Sequence, residues 1–373
     1  KNDSFGVLTI NGGNFSNTAQ YVIMNWNKAE ITAGTFQTLD TASAVLFTSA
    51  YGGDANTVGK LTISGGEFKH ASDTQEMIVD HYDASNSGTA AVTGGKFDAD
   101  ISKYIPTDYV QSADGTVEKL GETNAVAKVG GTYYKTLADA VAAAQDGDTI
   151  TLLKDAELTS TLNLAKNITI DGQGKYTIKA ANSFTVGSET YCVLYVSGEV
   201  TLKDVTVNGN EKCRVIFCDK GKLTIDGATI TNGKAPNFIG GVYMTSSASF
   251  EMKSGSITGN KNAKGYQNDE YLQYSSDLWI GANANGALTA INGGTIGNVF
   301  VNANAWSASN PGSFTMNGGT VTNLYVEHDA NYGATFKYND GTIEHLYLSK
   351  ENGNGQSIEV TPVKGVIYNG GVK

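Results

Sequence analysis

The sequence predicts an all-β chain folded as a parallel β-helix, a solenoid of short strands stacked coil on coil. Three observations carry this expectation. A motif recurs along the chain: an alternating strand, a corner of Asn, Ser or Asp followed by glycine, then a β-branched or aromatic residue. The 373 residues include 45 glycines but only 4 prolines, which fits many tight corners joined by strands whose backbone N–H groups are engaged. Late copies of the motif also align residue by residue, as stacked coils require.

In the first part of the chain the motif occupies residues 8–15, 31–36, 61–68 and 92–97. It returns as Ile168-Thr169-Ile170-Asp171-Gly172, Leu223-Thr224-Ile225-Asp226-Gly227, Ile291-Asn292-Gly293-Gly294-Thr295 and Met316-Asn317-Gly318-Gly319-Thr320. Strand side chains alternate in and out, so Leu-x-Ile buries both ends and exposes the middle residue. A single coil cannot cover its own apolar face, but stacked coils cover one another.

The late repeats set a register. Thr295, Thr320 and Thr342 match at steps of 25 and 22 residues. On that register Val299, Leu324 and Leu346 stack, as do Phe300, Tyr325 and Tyr347, and Val301, Val326 and Leu348. With the aliphatics inward, the aromatic column points outward. Asn292, Asn317 and Asn339 stack at the preceding corner, where side-chain amides can bond from rung to rung. Asp171, Lys203, Asp226 and Lys253 fall on successive rungs, and their alternating signs read as a solvated charge ladder worth about 0–1 kcal/mol per pair. Leu194 aligns with Ile216, which places Cys218 level with Val196 as a small core residue. Cys192 and Cys213 stay unassigned at this point, and three cysteines make neither a disulfide framework nor a zinc site.

Between the two repeat blocks the pattern changes. A strand-like stretch at 126–134 precedes the one helix the sequence predicts, about 136–146. Thr136 caps it with Asp139 three residues on; Leu137, Ala140, Val141 and Ala144 form its apolar stripe; Gly147 ends it. Such a helix covers the open end of a first rung. The predicted organisation is the C-terminal part of a first β-helix at 1–120, a capping and linker unit at 121–157, and a second β-helix at 158–373. Both ends read as mid-repeat, so the chain is expected to be a monomeric fragment of a longer protein.

The stretch 133–154, followed by Asn167-Ile168-Thr169-Ile170-Asp171-Gly172-Gln173-Gly174, resembles the entry to pectate-lyase-like right-handed β-helices. It looks like the versions built into large repeat-containing, adhesin-like surface proteins of Gram-positive bacteria. The resemblance covers the capping unit and second solenoid well and the first block more loosely. It implies right-handedness and an extracellular or cell-surface setting. It does not imply an activity, because that superfamily spans lyases, glycoside hydrolases and non-catalytic adhesins.

Residues required by the superfamily's enzymes are not found. There is no Asp-Asp pair, no Gly-His-Gly and no Arg-x-Lys, since Arg214, the sole arginine, is followed by Val215-Ile216. Ile78-Val79-Asp80-His81 is similar to a lyase Trp-Ile-Asp-His motif but lacks the tryptophan. Glu327-His328-Asp329 needs help from elsewhere to hold a metal, and no calcium loop appears. No catalytic residue, cofactor or metal is therefore expected. The net charge of −11 disfavours nucleic acid and anionic membrane surfaces, and no apolar run is long enough to span a bilayer.

A solenoid binds through the loops that interrupt it. The largest interruption, 261–280, holds Tyr266, Tyr271, Tyr274 and Trp279 together with Asp269, Glu270 and Asp277. Such rings stack on sugars and dominate protein interfaces, or fold back to cover their own apolar neighbours. Trp306 lies one coil on, and the Phe300/Tyr325/Tyr347 column is a second candidate surface. The expected function is an extracellular binding module for a host or environmental glycan or protein, including a secreted host protein such as an immunoglobulin. A polysaccharide lyase or glycoside hydrolase is the first alternative, and a structural stalk the second.

Overall fold

Parallel pairing of strands from successive coils is the dominant contact in each unit of the chain. The computed structural model describes residues 1–39, 41, 43–73, 75–186, 191–235, 239–245, 247–263, 272–282, 284–303, 310–329, 332–351 and 356–373. It is a β-solenoid of about 13 turns, 54% strand and 5% helical, with one α-helix. The chain divides into two compact units, Lys1–Ala125 with Tyr133–Lys135, and Val126–Thr132 with Thr136–Lys373.

In the first unit the long strands Val7–Asn17, Lys28–Thr38, Lys60–Lys69 and Thr89–Phe97 stack in parallel. The short strands Ile23–Asn25, Leu46–Thr48 and Ile78–Val79 form a second ladder. Each long strand contains the glycine corner. A Cβ on Gly65 would stand 2.2 Å from Thr32 O, and one on Gly94 2.3 Å from Ser64 O, so backbone from the coil below fills the space a side chain would need. Beyond the corner, Phe15, Phe36, Phe68 and Phe97 stack at 5.0, 4.8 and 4.5 Å with ring planes within 8° of parallel. Where the repeat fades, Thr116–Lys119 pairs antiparallel with Thr89–Phe97 and with Tyr109–Gln111.

In the second unit each regular coil contributes three strands, one to each of three parallel ladders. Ile168–Asp171, Glu199–Lys203, Lys222–Asp226 and Ser249–Met252 run through one ladder. Thr206–Asn208, Thr229–Thr231 and Ser256–Ile257 run through the next. Cys192–Val196, Arg214–Cys218, Val242–Met244 and Leu278–Ile280 run through the third. The predicted register holds: Thr295, Thr320 and Thr342 are partners, and His345 lies level with Asn323. The asparagine ladder forms, Asn317 donating to Asn292 at 2.8 Å and Asn339 to Asn317 at 2.7 Å. In the charge ladder Lys203 reaches Asp171 at 2.9 Å and Lys253 reaches Asp226 at 3.7 Å.

The helix is shorter than expected, Leu137–Ala143 rather than 136–146. Thr136 caps it as predicted, its hydroxyl accepting from Asp139 N at 3.0 Å and donating to Asp139 Oδ2 at 2.7 Å. Its C-terminus is set from outside: Lys166 Nζ donates to Ala142 O at 2.8 Å and Ala144 O at 2.5 Å, satisfying carbonyls that another turn would have bonded. The stretch 126–134 is two short strands, Ala127–Val129 and Thr132–Tyr134, parted by Gly130-Gly131.

All three cysteines are buried and none is in a disulfide. Cys218 pairs with Val196, and burial pushes the Cys213 and Cys218 thiols up to about 12. Because the thiolate is the reactive form, neither should react with a thiol reagent in the native protein at pH 7, and both should react after denaturation. Phe68→Ala is expected to lower the unfolding free energy of the first unit by about 3–5 kcal/mol in urea titration, because the stacked rings on either side cannot close the gap.

Candidate functional site

Strand alternation turns one position of the third ladder away from the coil interior, and from Tyr195 to Tyr347 that position is aromatic on each coil. Tyr195, Phe217, Tyr243, Trp279, Phe300, Tyr325 and Tyr347 occupy one register position on seven successive coils. Adjacent rings from Tyr195 to Tyr325 lie 5.8, 5.3, 5.8, 4.4 and 5.2 Å apart. The Phe300/Tyr325/Tyr347 column read from sequence is the end of this longer row.

The column leaves the coil interior, as expected, but its middle does not face solvent: Phe300 and Tyr325 are 0% exposed and Trp279 is 7% exposed. Ile239 and the turn Leu272–Ser275 pack over it, and Tyr274 stacks on Tyr347 at 4.5 Å. Burial, then the hydrogen bond with Tyr274, push the Tyr347 phenol up to about 12. The structure thus brings together Tyr274, Trp279, Phe300, Tyr325 and Tyr347. The other sequence-predicted site residues, Tyr266, Asp269, Glu270, Tyr271 and Trp306, lie outside the described residues. Tyr195, Phe217 and Tyr243 are half-buried, so the row keeps an accessible stretch at its N-terminal end.

Sequence reasoning missed Tyr195, Phe217, Tyr243 and the membership of Trp279. A signal was present: each sits between two aliphatic or sulfur-bearing residues, as in Leu194-Tyr195-Val196, Ile216-Phe217-Cys218, Val242-Tyr243-Met244 and Leu278-Trp279-Ile280. The steps of 22, 26 and 36 residues hid it, because insertions lengthen the later coils.

The largest insertion is clamped at its base. Asn262 Nδ2 donates to Leu272 O at 2.7 Å and to Ser275 Oγ at 3.1 Å, tying the two feet of segment 264–271 together. Just beyond, Asp277 is buried and accepts from Asn260 Nδ2 at 2.8 Å, Asn260 N at 3.2 Å, Asn298 N at 2.9 Å and Ser276 Oγ at 3.2 Å. A Cβ on Gly297 would lie 2.5 Å from Asp277 Oδ2, so glycine is what lets the next coil pass the carboxylate. The network runs on through Asn298 to Asn323 at 2.8 Å. Burial raises the Asp277 pKa and the hydrogen bonds oppose it, leaving the group above its ordinary 3.8.

Arg214 is 3% exposed. Its guanidinium lies over Tyr243 at 4.7 Å and Phe217 at 5.5 Å, and its Nε donates to Ile239 O at 3.1 Å. Burial lowers its pKa. The one arginine is thus part of the packing behind the aromatic row. Asp80, of the Ile78-Val79-Asp80-His81 segment, is ion-paired with Lys103 at 2.8 Å. Glu327 accepts from Asn302 Nδ2 at 2.7 Å and Ala303 N at 2.8 Å, which commits its carboxylate to the preceding coil.

A polar cleft of about 300 Å³ runs over the first ladder, lined by Thr169, Thr201, Thr224, Glu199, Lys222 and Glu251 among others. Glu251 bonds Lys222 at 2.5 Å and Asn292 at 3.2 Å, and the Lys222 bond holds its carboxyl below the usual range. A carboxylate kept ionised in this way is a poor general acid.

Compared with family models, curated proteins and solved structures, the chain matches none at a significant level.

The Asp277 network makes a signed prediction. A carboxyl whose folded pKa is raised binds its proton more tightly in the native state. Its contribution to stability is therefore greatest at low pH, falls as pH climbs from the unfolded value near 3.8 through the folded value, and is flat above. Asp277→Asn should abolish that component in urea titrations across pH. It should also lower stability at pH 7 by about 1–3 kcal/mol, because an amide nitrogen would then face a donor.

Proposed function

We propose that this chain is a binding module of an extracellular, adhesin-like surface protein, one that recognises a host or environmental glycan or protein through the insertion at 261–280. The observation that carries the reading is the clamped base. Segment 264–271, with Tyr266, Asp269, Glu270 and Tyr271 in its sequence, departs from and returns to two points joined by the Asn262 side chain. The return strand is anchored by Asp277 and continues into Trp279, whose ring stacks on Phe300 at 4.4 Å. A recognition loop on a fixed platform loses less conformational freedom on binding than one on a loose tether.

The half-buried rings Tyr195, Phe217 and Tyr243 give the module a second contact surface of a particular kind. Tyr195 and Phe217 stack at 15°, Tyr243 is tilted by 48° to Phe217 and 41° to Trp279, and the Arg214 guanidinium lies over the Phe217 and Tyr243 rings, so much of the ring faces is already covered. Tyr195 is oriented by its hydroxyl, which donates to Asp219 Oδ2 at 3.0 Å. Such a surface favours a protein partner over a sugar, since a sugar uses its C–H face against the flat of a ring.

The test is a binding screen of the purified chain against a glycan array and a panel of secreted host proteins, immunoglobulins included. It would be repeated with a Tyr266→Ser, Tyr271→Ser double variant and, separately, with Tyr243→Ser. The double variant is expected to weaken the principal interaction at least about tenfold, the usual effect of removing aromatic anchors from an interface. Undiminished binding in the double variant would remove the insertion from the site. Turnover of any polysaccharide would replace the binding reading with the enzymatic one.

A further inference from the structure

A second aromatic cluster lies in the first unit, and its rings are more steeply inclined to one another than those of the row. Trp26 follows the strand Ile23–Asn25, Tyr51 follows Leu46–Thr48, and Tyr82 lies on His81–Asp83, after Ile78–Val79. Parallel pairing of the three short strands brings these residues to one corner of successive coils. Their rings do not stack. Trp26 and Tyr51 meet at 6.1 Å and 84°, Trp26 and Tyr82 at 5.4 Å and 61°, Tyr51 and Tyr82 at 6.3 Å and 63°. Behind them Phe47, which is buried, packs against Trp26 at 5.0 Å. Tyr51 is 50% exposed and Tyr82 59% exposed, so the packing leaves much of both rings to solvent.

The three rings share a cleft of about 240 Å³ with Lys1, Asp3, Ser4, Asp54 and Thr57. This lies below the roughly 300–1,000 Å³ of sites for drug-sized ligands, a scale suited to a small head group. The loops that carry the rings are fixed by their own bonds. Gly52 N donates to Asn86 Oδ1, and Asn86 Nδ2 donates to Asp83 Oδ1 at 2.8 Å, which ties the Tyr51 loop to the Tyr82 hairpin.

The polar groups decide what the cleft can hold. Thr57 Oγ1 accepts from Tyr51 N at 2.7 Å and donates to Asp54 O at 2.8 Å, so its hydroxyl serves the turn. Asp54 Oδ1 accepts from both Asn56 N and Asn56 Nδ2 at 2.9 Å. A bond from Ser4, then those from Asn56, hold the Asp54 carboxyl below its usual range, so it stays anionic at neutral pH. Lys1 Nζ is paired with Asp3 at 2.9 Å, and Asp54 makes no ion pair among the described residues. A sugar needs several hydrogen-bonding partners free to meet its hydroxyls, and these side chains are already engaged. A cation without N–H groups needs none: ring faces and one negative charge are enough.

We propose that Trp26, Tyr51 and Tyr82, with Asp54, form an aromatic cage for a quaternary or fully methylated ammonium group. Inclined rings that line one cleft and stay partly open can offer a cation a ring face, which a fully buried parallel stack cannot. The site stands apart from the insertion of the second unit and does not depend on it.

The experiment titrates the purified chain with choline chloride and with tetramethylammonium chloride at constant ionic strength. It follows the Trp26 indole N–H by NMR, assigned with a Trp26→Phe variant. Saturable shifts are expected with both cations and not with sodium. Tyr51→Ala and Tyr82→Ala should each weaken binding about fivefold or more, the loss of one cation–π wall. Tyr82→Leu keeps the apolar bulk without the ring face and should weaken it as much, with an unchanged circular dichroism melt. Asp54→Asn should weaken both cations as well. Three results would each overturn the proposal: no saturable shift up to about 100 mM of either cation, equal affinity in Tyr82→Leu, or saturable shifts from neutral methyl glycosides and none from choline. The last would assign the cleft to carbohydrate.

Discussion

Everything in this molecule depends on parallel strands pairing in register from one coil to the next. Paired strands lie about 4.8 Å apart, so identical positions on successive coils are held within contact distance whether or not their side chains attract. Each position becomes a column, and a sequence change acts on the column. Phenylalanines become a core stack in the first unit, asparagines become an amide ladder at Asn292, Asn317 and Asn339, and alternating aspartate and lysine become ion pairs at Asp171–Lys203 and Asp226–Lys253. The glycines at the corners are the other side of the same constraint. Where a coil turns beneath its neighbour, backbone fills the place of a side chain, as at Gly65 and Gly94.

Because columns are the unit of structure, the fold was legible wherever the repeat kept its length. The register of Thr295, Thr320 and Thr342 follows from spacing alone, and so does the level placement of Cys218 and Val196. Legibility fell where a coil carries an insertion. The row from Tyr195 to Trp279 is one column, but the irregular steps between its members break any fixed-period alignment. The helix was legible at its start, where Thr136 and Asp139 are neighbours in sequence. It was misread at its end, because Lys166, which takes up the last carbonyls, is remote in sequence and belongs to a later coil.

The candidate site was legible in composition and much less so in geometry. An aromatic, acidic insertion is visible as letters. That Tyr274 and Trp279 join a closed stack with Phe300 and Tyr325 depends on which way the loop returns, which composition does not encode. Asp277 shows the same gap. It reads as one more loop carboxylate, yet four donors surround it and a glycine one coil on makes room for it. The Trp26 cluster escaped notice because its members are single residues, each just past a short strand on a different coil. No local pattern links Trp26 to Tyr51 or Tyr82.

The two aromatic clusters show how ring orientation separates scaffold from receptor when composition does not. In the row, rings at one register position on regular strands pack on their neighbours: three of the five adjacent pairs from Tyr195 to Tyr325 are inclined by only 5–16°, and the two that involve Tyr243 by 41–48°. The pair Phe300 and Tyr325, inclined by 5°, is the limit of this, and both rings are fully buried. Rings used in this way stiffen the coil and leave only edges for a partner. Trp26 and Tyr51 lie past the ends of their strands and Tyr82 lies in the hairpin that begins with His81–Asp83, all outside the parallel register that aligns the row. There the rings stand at 61–84° to one another. A solenoid can therefore make a structural column and a receptive cleft from the same residue types, the difference being whether the rings share one register position or converge from different ones.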